Sequence, residues 1–247
     1  MATSVDIESG LDGSSGAAHQ TVLLNEAVTE LVTDKSGLYI DGTFGRGGHS
    51  RKILEELTAE GRLLGVDKDP EAILSANELK SEDPRFSIYH GSFKELGVAA
   101  TAQGWNGVAG ILLDLGVSSP QIDDASRGFS FLNDGPLDMR MNQEQELTAK
   151  QVVNYYEEDK LEFIFKSYAD IRNARLVARK IVEAREVKEF ETTTQLIDVV
   201  KLLTSFKKEN QFLAQIFQAI RIEVNQELEV LKEFLKKRRV FYPKYPE

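Results

Sequence analysis

Four glycines and a histidine follow a short apolar run near residue 40, and these residue types suit a cofactor site. The glycines fall within seven residues and are Gly42, Gly45, Gly47 and Gly48. Glycine lets the backbone turn tightly and approach a ligand with no side chain in the way. His49 follows the glycines, and Asp67 ends the next apolar run about 20 residues on, where such sites bind ribose hydroxyls. The pattern predicts a nucleotide-type cofactor site.

The spacing of the glycines limits which cofactor the loop can hold. Dinucleotide sites usually have G-x-G-x-x-G, whereas the glycines here run G-x-x-G-x-G-G. The sequence also lacks the Gly-Lys-Ser/Thr of a triphosphate site. S-adenosylmethionine carries no phosphate, and its sites can use a glycine loop for close backbone approach. In that interpretation Asp67 binds the ribose and Phe93 lies against the adenine. A nicotinamide-dependent oxidoreductase is the alternative, which the loop spacing disfavours.

A second segment whose residues could take part in catalysis runs from Asp114 to Gln121. An apolar run ends at Asp114 and enters a turn that contains Ser118 and Ser119. Methyl transfer to an amino group needs a polar acceptor near the nitrogen and alignment with the methyl donor, and positioning carries most of such catalysis. Asp114, Ser118 and Ser119 are therefore the candidate catalytic residues. The competing interpretation is a structural turn whose acid caps local amides.

Two further groups of residues are candidates for binding a nucleic-acid substrate. The first lies in the loop after this turn and consists of Arg127, Phe129 and Arg140, because aromatic rings and guanidinium planes can hold unpaired bases. The second is a helical basic face with Arg172, Arg175 and Arg179, which suits phosphates. The structural alternatives are a packed loop with core Phe and surface Arg, and a merely solvated helix face.

Predicted strands and helices alternate along the first half of the chain, and they would position these residues. Four apolar runs are bounded by Gly, Asp or Pro: Gly37–Asp41, Arg62–Asp67, Phe86–His90 and Val108–Leu115. The helical stretches between them are Ser50–Leu57, Pro70–Leu79 and Phe93–Ala102. Such alternation predicts an α/β fold with right-handed crossovers and a parallel sheet. Ligands bind at the carboxyl ends of parallel strands, so the candidate residues should converge on one crevice.

The second half of the chain predicts helices only. The stretch from Leu147 to Phe206 has no strand candidate, and Thr192 and Gln195 form a plausible capping box. Gln211–Lys237 has apolar residues at three-and-four spacing and predicts one long amphipathic helix that packs on the sheet. We therefore predict a leader or cloning scar at 1–18, a cofactor-binding domain at 19–124 and 209–247, and a helical insert at 125–208.

Composition excludes several classes of protein. The chain has 247 residues, no cysteine and a formal net charge of −10. The absence of cysteine excludes disulfides and thiolate chemistry, and three scattered histidines predict no metal site. The negative charge argues against binding polyanions by bulk charge, although a local basic face can still bind RNA. No apolar run is long enough for a membrane helix, and we expect a cytoplasmic protein without a membrane partner.

Several long strings resemble the RsmH (MraW) family of bacterial methyltransferases. They are His19-Gln-Thr-Val-Leu-Leu-Asn-Glu26, Asp41-Gly-Thr-Phe-Gly-Arg-Gly-Gly-His-Ser50, Leu113-Asp-Leu-Gly-Val-Ser-Ser-Pro-Gln121, Arg127-Gly-Phe-Ser-Phe131 and Asp134-Gly-Pro-Leu-Asp-Met-Arg-Met141. The resemblance implies a Rossmann-like class I methyltransferase fold with an inserted helical domain, here 125–208, that recognises RNA. It also implies methylation of a cytidine N4 atom in small-subunit ribosomal RNA, with S-adenosylmethionine as the methyl donor.

The resemblance assigns cofactor-binding positions to Gly47, Gly48, His49, Asp67, Phe93, Asp114 and Gln121. After the long helix the chain departs from the family pattern, because the family's closing strands have no counterpart in Lys236–Glu247. We therefore expect an exposed sheet edge at the fourth strand. A truncated module that binds cofactor or RNA with weak or no activity is the alternative function. The sequence leaves the oligomeric state open, a dimer included.

Overall fold

A computed structural model describes residues 23–237, and its centre is a parallel sheet of four strands. The strands are β1 Leu38–Asp41, β2 Arg62–Asp67, β3 Phe86–His90 and β4 Gly110–Leu112. Their order is β3-β2-β1-β4, and every neighbouring pair is parallel. The prediction of a parallel α/β sheet is confirmed. β4 is shorter than predicted and lies at one edge of the sheet in this described part of the chain.

Helices connect the strands as the sequence predicts. In this half the helices are α1 Leu24–Leu31, α2 Gly48–Glu56, α3 Pro70–Glu82, α4 Leu96–Ala102 and α5 Ser119–Asp123. A 3₁₀ turn, Phe93–Glu95, precedes α4. Asp69 caps α3, because its side chain accepts a hydrogen bond from the N–H of Glu71, and Pro70 occupies the first helical position. Helices α2, α3 and α4 each return the chain to the start of the next strand.

The sheet has apolar cores on both faces. Tyr39 and Leu63 pack against α2 and α3 on one face. Ile40 and Leu64, which are next to them in sequence, pack against α4 on the other face. Successive strand residues point to opposite faces, so short fully apolar strands are what a sheet covered on both sides requires.

Six further helices follow in the described part of the chain, and the first five of them form a third apolar core. They are α6 Ala149–Tyr155, α7 Glu158–Ala169, α8 Ala174–Val187, α9 Thr193–Val200, α10 Glu209–Asn225 and α11 Glu227–Lys237. Between them lie 3₁₀ turns at Lys201–Leu203 and Phe206–Lys208, and another covers Ala125–Arg127. The prediction of helices without strands from Leu147 to Phe206 is confirmed, and the Gln195 side chain accepts from the N–H of Thr192 at 3.3 Å as the capping box requires.

The predicted single helix over Gln211–Lys237 is wrong. Gln226 takes a left-handed conformation with φ 50°, and this residue separates α10 from α11. The apolar face of α10 lies in the helical core, whereas Leu231 and Phe234 of α11 pack on the sheet. Only α11 therefore covers the sheet as predicted. The division of the chain into domains stays a prediction, as do the segments 1–22 and 238–247, which lie outside the described residues.

Between residues 23 and 237 no helix combines the length and apolarity needed to span a membrane.

Candidate functional site

A cavity of about 780 Å³ opens at the carboxyl ends of β1, β2 and β4. Its size falls in the range of about 300–1,000 Å³ that is usual for small-molecule sites. The predicted site residues that line it are Gly48, His49, Asp67, Phe93, Asp114, Ser118, Ser119 and Gln121. The expected convergence on one crevice is therefore found. The opposite wall comes from α10 and α11, which the sequence did not place there.

The glycine loop after β1 adopts a conformation that other residues would strain. Gly47 precedes α2 with φ 77°, and a Cβ there would lie 2.6 Å from the ring of Phe44. Gly42 meets the next strand end so closely that a Cβ would lie 2.5 Å from Leu113 Cδ2. Glycine is needed at Gly47 for both its dihedral angle and its space. Gly47 shapes the turn, and Gly48 and His49 behind it face the cavity.

Asp67 lies at the end of β2 with both carboxylate oxygens directed at backbone amides. Oδ2 accepts from the N–H of Gly45 at 2.8 Å, and Oδ1 accepts from the N–H of Asp69 at 2.9 Å. Burial raises the pKa of this carboxyl, and the two hydrogen bonds oppose that rise. Each carboxylate oxygen retains acceptor capacity, and the residue lines the cavity. Asp67 can therefore accept hydrogen bonds from two further hydroxyl groups.

Asp114 lies just beyond β4 and faces the glycine loop. Its N–H donates to Thr43 Oγ1 at 2.7 Å, which fixes the backbone of one strand end against the other. Its side chain is 55% exposed, and Oδ2 lies 3.9 Å from Nδ1 of the buried His49. The carboxylate is therefore at the cavity surface, open to a ligand, while its backbone is held in place.

The turn after Asp114 leads into α5, and the side chain of Gln121 holds the turn in place. Gln121 Oε1 accepts from the N–H of Ser118 at 3.0 Å, which makes the capping box of α5. Gln121 Nε2 donates to Asp69 Oδ2 at 2.6 Å, and both side chains are buried. Ser118 and Ser119 line the cavity. In the structure Gln121 holds this turn against the end of β2.

Arg127 is buried, and this corrects its predicted role in stacking a base. It is 2% exposed, and its Nη2 donates to Asp69 Oδ2 at 3.0 Å. The same nitrogen donates to the carbonyls of Arg140 and Met141 at 3.0 and 3.2 Å. The guanidinium lies 5.8 Å from the ring centroid of Phe129, which is itself part of the helical core. Neither side chain is open to an incoming base.

Arg140 supports the loop around it. It pairs with Asp138 at 2.7 Å and donates to the carbonyls of Gln143 and Gln145, both at 2.8 Å. Its side chain is half-buried, and its role in substrate binding stays a prediction.

A family model described as "MraW methylase family" matches residues 16–242 of this chain.

The chain belongs to the MraW methylase family.

Two curated relatives are each named "Ribosomal RNA small subunit methyltransferase H". The protein from Shewanella frigidimarina (strain NCIMB 400) is 49% identical over 220 residues, which are 88% of this chain and 70% of that protein. The protein from Shewanella halifaxensis (strain HAW-EB4) is 49% identical over 219 residues, 88% of this chain and 69% of that protein. A solved structure titled "Crystal structure of MccD protein" aligns at 10% identity and a TM-score of 0.27 over 83% of this chain and 90% of that one.

The cavity of this MraW family member suits S-adenosylmethionine by its chemistry. Asp67 offers acceptors for ribose hydroxyls, and Phe93 forms an aromatic wall that packs edge-on against Phe234 at 6.2 Å. The tight turn at Gly47 leaves no side chain above Gly48. No group of three or more acids or histidines in 23–237 could hold a metal ion.

Three polar residues at the far wall of the cavity were missed by the sequence argument. Arg221 pairs with Glu227 at 2.8 Å across the break between α10 and α11. Asn225 is buried, accepts from the N–H of Met141 at 2.9 Å and donates to the Met139 carbonyl at 2.8 Å. The sequence could have indicated Asn225, because it is a polar residue on the apolar side of an amphipathic helix.

A lysine inside the same cavity, Lys68, was also missed. Burial lowers the pKa of its ammonium, and the neighbouring acid Glu227 opposes that change. Its position directly after Asp67, at the end of a buried strand, was the signal that could have indicated it.

The predicted basic face of this MraW family member lies on α8 and just before it, and none of its three arginines lines the cavity. Arg175 and Arg179 are exposed on the helix, and Arg172 is exposed just before it. Arg179 lies 3.7 Å from Glu183. The role of this face in binding RNA stays a prediction.

Proposed function

We propose that this chain transfers a methyl group from S-adenosylmethionine to the N4 atom of a cytidine in small-subunit ribosomal RNA. The observation that carries the proposal is the exposed Asp114 carboxylate, which faces the glycine loop across a cavity of cofactor size. Membership of the MraW family and two relatives named as ribosomal RNA methyltransferases support the reaction class.

The residues around the cavity would divide the work between binding and alignment. Asp67 would bind the ribose hydroxyls, and Phe93 would lie against the adenine ring. Gly48 and His49 would lie along the methionine part. S-adenosylmethionine supplies an electrophilic methyl group on a sulfonium when it is bound. The protein's first contribution is then to present a nitrogen in line with that methyl group.

Asp114 would act on the amino group of the cytosine. The lone pair of an exocyclic amine is delocalised into the ring, so the nitrogen is a weak nucleophile. A carboxylate that accepts an N–H hydrogen bond localises electron density on the nitrogen and can take up the proton released after transfer. The Thr43 hydrogen bond holds the Asp114 backbone, so the carboxylate is positioned before the base arrives. The backbone of the Ser118–Ser119 turn would border the base.

Methyl incorporation into small ribosomal subunits tests the proposal. Asp114→Asn should lower the rate of methyl transfer at saturating cofactor by about 100-fold, the lower end of the usual effect of a positioned acid or base. Asp123→Asn makes the same charge change at an exposed position on the cavity rim and should retain activity. Equal rates for parent and Asp114→Asn would remove Asp114 from the mechanism.

Binding without turnover would favour the alternative function. If the parent chain binds S-adenosylmethionine and RNA but transfers no methyl group under conditions where a Shewanella relative is active, the chain is a binding module. The two relatives at 49% identity provide that positive control.

A further inference from the structure

A second exposed segment lies beside the basic face of α8. It runs from Leu202 to Lys208 and contains the 3₁₀ turn Phe206–Lys208. Phe206 is 90% exposed and Leu202 is 78% exposed. The exposed aromatic ring offers a flat face on which a planar group such as a base can stack.

One hydrogen bond fixes this segment to the residues just before α8. Asn173 Nδ2 donates to the carbonyl of Leu203 at 3.3 Å. Arg172 is the neighbour of Asn173, and Arg175 is the second residue of α8. Phe206 lies three residues after Leu203 and is followed by two lysines, so this bond ties the exposed segment to the residues that carry the arginines. We name this the Phe206 surface, and it consists of Arg172, Arg175, Leu202, Phe206, Lys207 and Lys208.

The charge of the Phe206 surface differs from that of the whole chain. Its four cations make no ion pair with a carboxylate within the described residues. The cations at its edge are different, because Arg179 lies near Glu183 and Lys201 pairs with Asp198. The chain as a whole carries a net charge of −10. Four cations without a paired carboxylate on the two segments are therefore a local exception within the described residues, and they favour an anionic partner.

We propose that the Phe206 surface binds an unpaired strand of the RNA substrate, with Phe206 stacked on a base and the four cations on phosphates. This inference rests on the proposed function, because it assigns part of the substrate to a surface outside the cavity. Single-strand binding combines a basic surface with aromatic platforms, and the aromatic ring does not distinguish between bases. An exposed ring followed by two exposed lysines, on a segment tied to two exposed arginines, meets this description.

Equilibrium binding to protein-free small-subunit RNA and to a single-stranded oligonucleotide tests the inference. Phe206→Ala should weaken both complexes by about tenfold, the effect of losing one stacked base, and Phe206→Trp should restore them. Lys207→Gln with Lys208→Gln should reduce the slope of log K against log salt by about 1.4, because each lost phosphate contact on a single strand contributes about 0.7.

Matched variants on other elements control for folding and bulk charge. Leu74→Ala removes an apolar side chain that is 68% exposed on α3. Lys80→Gln with Lys236→Gln removes two exposed lysines from α3 and α11. Neither variant should change RNA affinity by more than the bulk charge effect, and all variants should bind S-adenosylmethionine with the parent's affinity. An affinity for RNA that is the same in parent and Phe206→Ala would overturn the inference.

The outcomes separate this inference from the proposed function. If the parent methylates RNA and Phe206→Ala leaves both the KM for RNA and the affinity unchanged, only the inference fails. If the parent binds RNA through Phe206 but transfers no methyl group, only the proposed function fails. If sedimentation shows a dimer that Phe206→Ala converts to a monomer while RNA affinity stays constant, the surface joins two copies of the chain and the inference is overturned.

Discussion

The N–H of Asp114 donates a hydrogen bond of 2.7 Å to Oγ1 of Thr43, 71 residues earlier in the chain. The bond joins the loop after β4 to the glycine loop after β1, the two segments that carry the predicted catalytic and cofactor-binding residues. Both loops leave neighbouring parallel strands, so the sheet brings them together and this bond fixes their separation. The position of the Asp114 carboxylate therefore depends on a threonine that itself has no acid–base role.

Thr43→Val tests this dependence. Valine has the shape of threonine without the acceptor, so the Asp114 N–H loses its partner. A hydrogen bond of this kind contributes about 1 kcal/mol, and we expect kcat for methyl transfer to fall about fivefold. Thr43→Ser retains the hydroxyl and should restore most of the rate. Steady-state kinetics with saturating cofactor measure this, and equal kcat for the valine variant and the parent would show that the bond does not position the carboxylate.

Asp67→Asn should weaken cofactor binding rather than the methyl-transfer step. The amide has one acceptor oxygen, so it cannot accept from both Gly45 and Asp69 and also bind two ribose hydroxyls. Hydrogen bonds to a charged group contribute about 1.5–3 kcal/mol, and we expect the Kd for S-adenosylmethionine to rise by about 10- to 100-fold. Calorimetric titration measures this, with Asp123→Asn as the control of equal charge. An unchanged Kd would contradict the assignment of Asp67 to the ribose.

Asp41 predicts a pH dependence of folding. Burial raises the pKa of this carboxyl from its ordinary value of 3.8 to about 6, against the hydrogen bonds from Ser50 and Thr43. The folded state therefore binds more protons than the unfolded state between these two values, and stability falls as the pH rises through this window. At about 1.4 kcal/mol per pKa unit, ionised Asp41 costs about 3 kcal/mol at pH 8.

Asp41→Asn should remove this cost. The amide can accept from the N–H of Thr43 and donate to the Ser50 hydroxyl, so the local contacts are retained. We expect the variant to unfold at higher denaturant concentration than the parent at pH 8 and the difference to shrink steadily toward pH 5. Chemical denaturation at four pH values between these limits measures it. A difference that stays constant across the series would mean that Asp41 does not titrate in this window.

Patterns within short segments predicted much of the fold and the place of the site. β2 and β3 have the predicted bounds. For β2 the reason is that a strand covered on both faces is a continuous apolar run between polar ends. The site lies at the strand ends because parallel topology requires it. The bonds that give Arg127 its role were not predictable in this way. Arg127 binds Asp69, 58 residues earlier, and only the folded chain brings them together.

The break at Gln226 was missed for a different reason. Apolar residues keep three-and-four spacing from α10 into α11, so the periodicity contains no sign of an interruption. The residue itself is not glycine, although its φ of 50° is one that residues with a side chain rarely adopt. The left-handed conformation ends α10 and turns α11 toward the sheet, where it contributes Glu227 and Leu231 to the cavity wall. The break therefore has consequences for the site.

Gln226→Gly distinguishes a broken helix from a continuous one by the sign of its effect. Left-handed backbone costs a residue with a Cβ roughly 1–2 kcal/mol that glycine avoids, offset in part by the greater freedom of glycine in the unfolded chain. We therefore expect the variant to be more stable than the parent by about 0.5–1 kcal/mol in chemical denaturation. In a continuous helix, glycine would instead destabilise by about 1 kcal/mol.

Gln218→Gly supplies the matched control, because Gln218 is an exposed glutamine inside α10. It should lose about 1 kcal/mol of stability, as glycine does in a helix interior. Opposite signs at the two glutamines would place the end of α10 at Gln226. Destabilisation of similar size at both positions would instead mean that the helix runs through Gln226, and Arg221 and Glu227 would then not meet across a turn at the cavity wall. The affinity for S-adenosylmethionine should stay constant in Gln226→Gly, since the substitution favours the backbone conformation that already shapes this wall.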